Sequence, residues 1–330
     1  MNDCQPVFIV GMNGSGTSMM LDSLGRHPEL YAVPQETLMM PYIITQAQRF
    51  GNLGDDQNFL AYGQFALRQM PALRHTKAVD AIELHDNWLS MPRTIAGVFD
   101  GIFGSLAATQ GKRRWCEKTP DHVQHIRTLA DVFPNSSFVH MIRDGREVAS
   151  SISRRQLRHP ELVIYRWKRL VQEGRSAGAL LGGRYLEIRY EDLTADPRRQ
   201  MQRLCEFLQI PFDEQVLQSR MPQDPRRKRL AQGSLGTIST NPVKWPSYFD
   251  APTLRRLEGI GGRMLTELGY EVRTAAGDGE PTWWQKKRWR AMDFLRYHIE
   301  LKKKSRRYNT WPKMLGKMYF SFKEYWSKRY

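Results

Sequence analysis

The chain has 330 residues, a mass of 38.5 kDa, 41% hydrophobic and 25% charged residues, and a net charge of +16. This balance excludes a disordered or membrane-embedded chain, and no run reaches the roughly eighteen apolar residues that a spanning helix needs. Cys4, Cys116 and Cys205 are too few and too scattered for a disulfide framework or a paired-cysteine metal site.

In chain order, Pro6 to Val10 is a short apolar run rich in β-branched residues and predicts a strand. Gly11 to Ser18 follows as a glycine loop, and Thr17 to Leu24 predicts a helix that Gly25-Arg26-His27-Pro28 ends. Further strands are predicted at Leu30 to Val33, Arg114 to Cys116, Ser137 to Ile142 and Arg184 to Tyr190. Helices are predicted at Thr94 to Thr109, His122 to Val132, Glu147 to Arg154 and Pro197 to Leu208. Such alternation predicts an α/β fold with three α/β/α layers and a central parallel sheet. Gly51 to Asp56, Gly233 to Pro246 and Ala275 to Pro281 read as loops. The last separates a domain at residues 1–274 from a basic, aromatic, helical C-terminal extension at 275–330.

A glycine loop between strand and helix presents backbone N–H groups at the positive end of a helix dipole, where a phosphate binds. Read as a nucleotide-triphosphate loop, Gly11 to Gly16 has the right spacing, but Thr17 stands where a lysine should reach the β and γ phosphates. That argues against a kinase or ATPase. Farther on, the Phe138 to Ile142 strand delivers Arg143-Asp144-Gly145-Arg146 to its carboxyl end, where parallel sheets bind ligands. Arg143 there is either an anion ligand or an ion-pair partner; its planar fork suits a phosphate monoester.

Together these motifs resemble the sulfotransferase superfamily, the bacterial and the tyrosylprotein or Golgi types above all. Asn13-Gly14-Ser15-Gly16-Thr17-Ser18 matches the loop that holds the 5′-phosphosulfate of 3′-phosphoadenosine 5′-phosphosulfate (PAPS), and Arg143 with Ser151 matches the 3′-phosphate pair. The resemblance implies PAPS as co-substrate and a hydroxyl-bearing acceptor; the basic aromatic tail makes a glycan or lipid-linked sugar the candidate acceptor, and the expected scheme requires no metal. Gln35-Glu36-Thr37 is similar to the segment that supplies the catalytic base, which makes Glu36 the candidate base and His122 the reserve. Glu117-Lys118-Thr119-Pro120 is similar to the segment whose lysine stabilises the transferring sulfuryl group. Arg189-Tyr190-Glu191-Asp192-Leu193 resembles the segment whose tyrosine lies near the adenine. Ser234 falls in a stretch resembling a closing loop that donates to the cofactor. One departure stands out: Gly14 replaces the basic residue that family loops carry, so either Lys118 takes over its charge or catalysis is weak. Arg226 to Arg229 are further candidates for the 3′-phosphate.

Two other readings remain: a catalytically silent nucleotide-binding protein held at a membrane surface, and a nucleotide-dependent phosphotransferase. The start, Met1 to Pro6, lacks the features of a secretory signal, and the expectation is a cytoplasmic protein, with peripheral attachment to a membrane the alternative. From Pro281 to Tyr330 fifteen lysines and arginines face Asp293, Glu300 and Glu324, interleaved with aromatic residues. An anionic membrane surface is the favoured partner for residues 281–330. Packing on the body is the second reading, and nucleic acid is disfavoured.

Overall fold

The computed structural model describes residues 5–70, 88–220, 235–238, 243–274 and 276–308. Strand β1 (Val7–Gly11) is buried along its whole length. Its side chains alternate: Phe8 and Val10 enter one hydrophobic cluster and Val7 and Ile9 another, one on each face. A strand covered on both faces reads as an unbroken apolar run, as this one does.

Four more strands, β2 (Leu30–Ala32), β3 (Arg114–Lys118), β4 (Ser137–Ile142) and β5 (Tyr185–Arg189), complete a sheet of order β2-β3-β1-β4-β5. Every pairing in it is parallel. The chain runs from central β1 out to one edge and later crosses to the other. This makes the carboxyl end of β1 a topological switch point, where such sheets bind ligands.

Helices fill the two outer layers. In chain order they are α1 (Thr17–Leu24), α2 (Met40–Gln46), α3 (Asp56–Gln69), α4 (Ile95–Ala108), α5 (Ile126–Val132), α6 (Gly145–Gln156), α7 (Pro160–Gly178), α8 (Tyr190–Ala195), α9 (Pro197–Leu208), α10 (Trp245–Tyr248), α11 (Ala251–Glu267) and α12 (Trp283–Tyr308). Met20 and Leu24 of α1 and Met201, Leu204 and Leu208 of α9 join the Val7 and Ile9 face. Phe59 of α3, Phe99 and Phe103 of α4, Val148 of α6, Trp167 of α7 and Leu257 of α11 join the Phe8 face. The three-layer α/β fold expected from the sequence is therefore present. A small antiparallel pair, β6 (Gln218–Arg220) with β7 (Leu235–Thr237), lies outside the main sheet. The helix predicted from His122 begins instead as a 3-10 turn, Pro120–His125, because Pro120 opens it where no backbone donor is required.

Residues 276–296 lie against this body. Lys168 of α7 meets Asp278 at 3.1 Å and Glu280 at 3.2 Å. Trp289 and Asp293, one turn apart on α12, are buried; the His159 ring stacks on Trp289 and its backbone N–H donates to Asp293 at 2.6 Å.

Candidate active site

The carboxyl ends of all five strands contribute, in sheet order. The loop after β1 is closed by the Ser15 N–H donating to the Met12 carbonyl at 3.0 Å. Gly14 and Gly16 have φ of 93° and 94°, where L side chains are strained. A Cβ on Gly16 would lie 2.5 Å from Cδ2 of Tyr190, so only glycine lets the loop rest on that ring. Gly16 caps α1 without a side-chain bond, leaving the first-turn N–H groups to a ligand. The Ser15 hydroxyl is buried and has no partner among the described residues. Thr17 is also buried, whereas Asn13 and Ser18 face solvent.

Arg143 follows β4 directly. Its Nη1 donates to the Gly14 carbonyl at 3.1 Å, its guanidinium lies 4.1 Å from the centre of the Tyr190 ring, and Glu147 stands 3.6 Å away. Its Nε is buried without a hydrogen-bond partner. Ser151 lies farther along α6 and is half-buried. The second arginine of the motif is structural instead. Arg146 binds Asp144 at 2.7 Å and Glu258 at 2.5 Å and stacks on Trp245, which ties α6 to α11. Glu147, which carries no signal in the sequence, accepts from the N–H groups of Lys244 and Trp245 at 2.8 and 3.1 Å and fixes the chain there.

On the other side of β1, Lys118 at the end of β3 meets Glu36 at 2.6 Å. Glu36 is 33% exposed. Its neighbour Thr37 is buried, and the Thr37 N–H donates to Glu117 at 3.1 Å and to the Thr119 hydroxyl at 2.9 Å. Glu117 is fully buried, accepts also from the Thr119 hydroxyl, and has His122 Nδ1 at 3.2 Å. Burial pushes the Glu117 carboxyl up, but His122 and the bonds from Thr119 and Thr37 outweigh it and hold it below its usual value. The His122 ring is only 2% exposed. Its Nδ1 faces this carboxylate. In the segment after Thr37, Leu38, Met39 and Tyr42 are exposed, whereas Met40 is buried.

Ser234 and Arg226 to Arg229 lie outside the described residues. Among the described residues no three His, Cys, Asp or Glu side chains gather as a metal site. A cleft beside the loop is lined by Asn13, Gln124, Gln156, Arg158, Arg166 and Arg169, among others.

A parallel sheet of this order, with a glycine loop on β1 and an arginine on β4 joined to it, defines an α/β fold with a site suited to a phosphorylated ligand at its switch point. The profile of the sulfotransferase family matches residues 6–214, and the chain belongs to that family. Protein-tyrosine sulfotransferase A of Caenorhabditis elegans is 27% identical over 281 residues, covering 80% of this chain and 67% of the relative. A putative protein-tyrosine sulfotransferase of Caenorhabditis briggsae is 22% identical, covering 83% and 92%. Among solved structures, the sulfotransferase domain of the Synechococcus PCC 7002 olefin synthase superposes with a TM-score of 0.54 at 21% identity, covering 82% of this chain and 97% of that domain. The domain from the curacin biosynthetic pathway gives 0.53 at 20%, covering 82% and 99%. These two share the fold. The chain is accordingly a PAPS-dependent sulfotransferase. Its loop fits such a donor: first-turn N–H groups, an orphaned Ser15 hydroxyl and an arginine nitrogen without a partner all await an anion.

Proposed function

We propose that the two halves of the site divide the work. On the donor side, the loop Asn13 to Ser18 takes the 5′-phosphosulfate, Arg143 and Ser151 take the 3′-phosphate, and Tyr190 lies under the nucleotide end. On the acceptor side, Glu36 accepts the proton of the incoming hydroxyl and Lys118 neutralises charge on the transferring group. PAPS brings a sulfuryl group already activated on a phosphate leaving group. What the chain must add is to align the acceptor, remove its proton and hold the anionic oxygens, which is positioning and electrostatic work. The observation that carries this reading is the Glu36–Lys118 pair at 2.6 Å, with base and cation in one place at adjoining strand ends. For the acceptor, relatives named for protein tyrosine and aligned over most of this chain support a peptide phenol ahead of a sugar. The exposed Leu38, Met39 and Tyr42 offer such a group an apolar surface.

Isothermal titration with adenosine 3′,5′-bisphosphate, without magnesium, tests the donor half. Wild type should bind and Arg143→Ala should bind at least tenfold more weakly, since a charge-assisted hydrogen bond contributes about 1.5–3 kcal/mol. Equal affinities would remove Arg143 from the donor site. Turnover of tyrosine peptides against sugars, with PAPS as donor, tests the acceptor.

For α12 we propose peripheral attachment to an anionic membrane on the cytoplasmic side. No described helix is long and apolar enough to cross a membrane. Trp283, Trp284, Leu295 and Ile299 are exposed along it, amid Lys286, Lys287 and Arg288. That mixture of cations and aromatic side chains suits the interface between lipid headgroups and acyl chains. Sedimentation with phosphatidylserine vesicles, comparing the full chain with one ending at Glu280, would discard the idea if both bound alike.

A further inference from the structure

The C-terminal helix has two distinct faces. At about 100° per residue, Lys286, Trp289, Arg290 and Asp293 share one side of α12, and Trp284, Leu295 and Ile299 share the opposite side. The second set is exposed. The first set faces α7 and the residues just before it. Trp289 and Asp293 are buried against His159. Lys286 donates to the Tyr165 hydroxyl at 3.1 Å, and its ammonium lies 4.5 Å from the centre of that ring.

The docked face also bounds a cleft of about 130 Å³. Met12 and Asn13 of the loop after β1 line it, with Gln124 of the turn that follows Lys118, Gln156 of α6, Tyr165 of α7 and Arg290 of α12. The cleft therefore runs between the loop that takes the donor and the extension. Two of its other residues depend on contacts of α12 or on each other. Arg158 has Asp293 of α12 at 3.8 Å, whereas Arg166 is paired with Asp121 at 2.8 Å. Neither Arg143 nor Tyr190 lines the cleft, so the nucleotide end of the donor is held outside it.

Arginine offers hydrogen-bond donors and no acceptor, so what Arg290 can bind there is oxygen. We propose that the extension completes the acceptor site: docked α12 walls the cleft, and Arg290 is a specificity-determining residue that binds an oxygen of the acceptor beyond its reacting hydroxyl. This rests on the acceptor reading above and deepens it by naming where the body of the acceptor lies. The membrane contact proposed above draws on Trp284, Leu295 and Ile299 of the opposite face, so the two roles do not compete.

Steady-state kinetics of the full chain, with PAPS and a tyrosine peptide, test this. Arg290→Ala should raise KM for the peptide about tenfold, the effect of one charge-assisted hydrogen bond, with kcat within twofold of wild type. Trp289→Ser, which removes the ring that stacks on His159, should raise KM at least as much. In both variants adenosine 3′,5′-bisphosphate should bind within twofold of wild type by calorimetry. Arg255→Ala removes the same charge from an exposed site on α11 and should leave KM unchanged. Thermal unfolding of each variant checks that the fold survives. With an active wild type, an unchanged KM in Arg290→Ala, the same rise from Arg255→Ala, or bisphosphate affinity lost together with KM would each overturn the proposal. A wild type that binds the bisphosphate but transfers sulfate to no tyrosine peptide would instead overturn the acceptor reading, and this proposal with it.

Discussion

Glu117 is the residue whose replacement should show most clearly how the acceptor half is held. Glu117→Gln keeps the shape and one acceptor oxygen but removes the charge from a fully buried position. Bonds from the Thr37 N–H, at 3.1 Å, and from the Thr119 hydroxyl become bonds to a neutral acceptor, with the His122 ring 3.2 Å away. Hydrogen bonds to a charged partner are stronger than neutral ones by about 1 kcal/mol each, so weakening these two is expected to cost about 2 kcal/mol. Urea unfolding at pH 7.5 should show a lower midpoint at unchanged slope. The pH dependence follows from the direction of the shift. A carboxyl held below its ordinary value of 4.5 stabilises the fold in full above that value and ceases to as the pH falls through its lower native value. The wild-type advantage should therefore persist at pH 6–8 and shrink below about 4.5. A Glu117→Gln protein within about 0.5 kcal/mol of wild type at neutral pH would show that the carboxylate is not what holds Thr37.

Three further outcomes are expected. Glu36→Gln should lower turnover of PAPS with a tyrosine peptide by about 10²–10⁴, the range of a lost general base, while bisphosphate affinity stays within twofold; a loss of affinity instead would place Glu36 in donor binding. Gly16→Ala puts a Cβ 2.5 Å from the Tyr190 ring at a φ of 94°, so calorimetry should find bisphosphate binding weakened at least tenfold; near-native affinity would mean that the loop yields. Burial raises the Asp293 carboxyl to about 6, against 3.8 unfolded, so its contribution is present below 3.8 and lost as the pH rises through 6. Asp293→Asn keeps an acceptor for His159 and should melt higher than wild type above pH 7, with a flatter pH profile; an identical profile would refute this.

Much of the site is legible in the sequence because its chemistry sits at strand ends that are marked locally. The apolar run at Val7, the glycines after it and the Ser137 to Ile142 strand carry their own signals. Pro197–Leu208 is the span observed for α9 because Asp196 caps it and Pro197 opens it. Helix α7 is absent from the elements predicted above although its signal is present: Val163, Ile164, Trp167, Leu170 and Val171 recur at helical spacing and are buried. The pairings are beyond local reading. Glu36 meets Lys118 across 82 positions and Arg146 meets Glu258 across 112. Nothing near Glu117 in the sequence distinguishes it from a solvated neighbour of Lys118.

The pairings also explain why the site tolerates having its residues on five separate strand ends. Each residue proposed to meet a substrate stands next to one that is tied into the framework: Glu36 beside Thr37, Lys118 beside Glu117, Arg143 beside Asp144, Tyr190 beside Glu191. The Thr37 N–H reaches Glu117 and joins the end of β2 to β3. The Asp144 N–H donates to Glu191 at 3.0 Å, whose other oxygen accepts from Tyr270 at 2.8 Å, and this joins β4 to β5. The bond from Arg143 to the Gly14 carbonyl links the second pair to the loop of β1. The donor half is therefore cross-braced to the central strand, and the acceptor half is braced on itself. Loosening Glu117 should change how Glu36 meets an acceptor while donor affinity stays intact, because no bond of the Glu117 cluster passes through the loop.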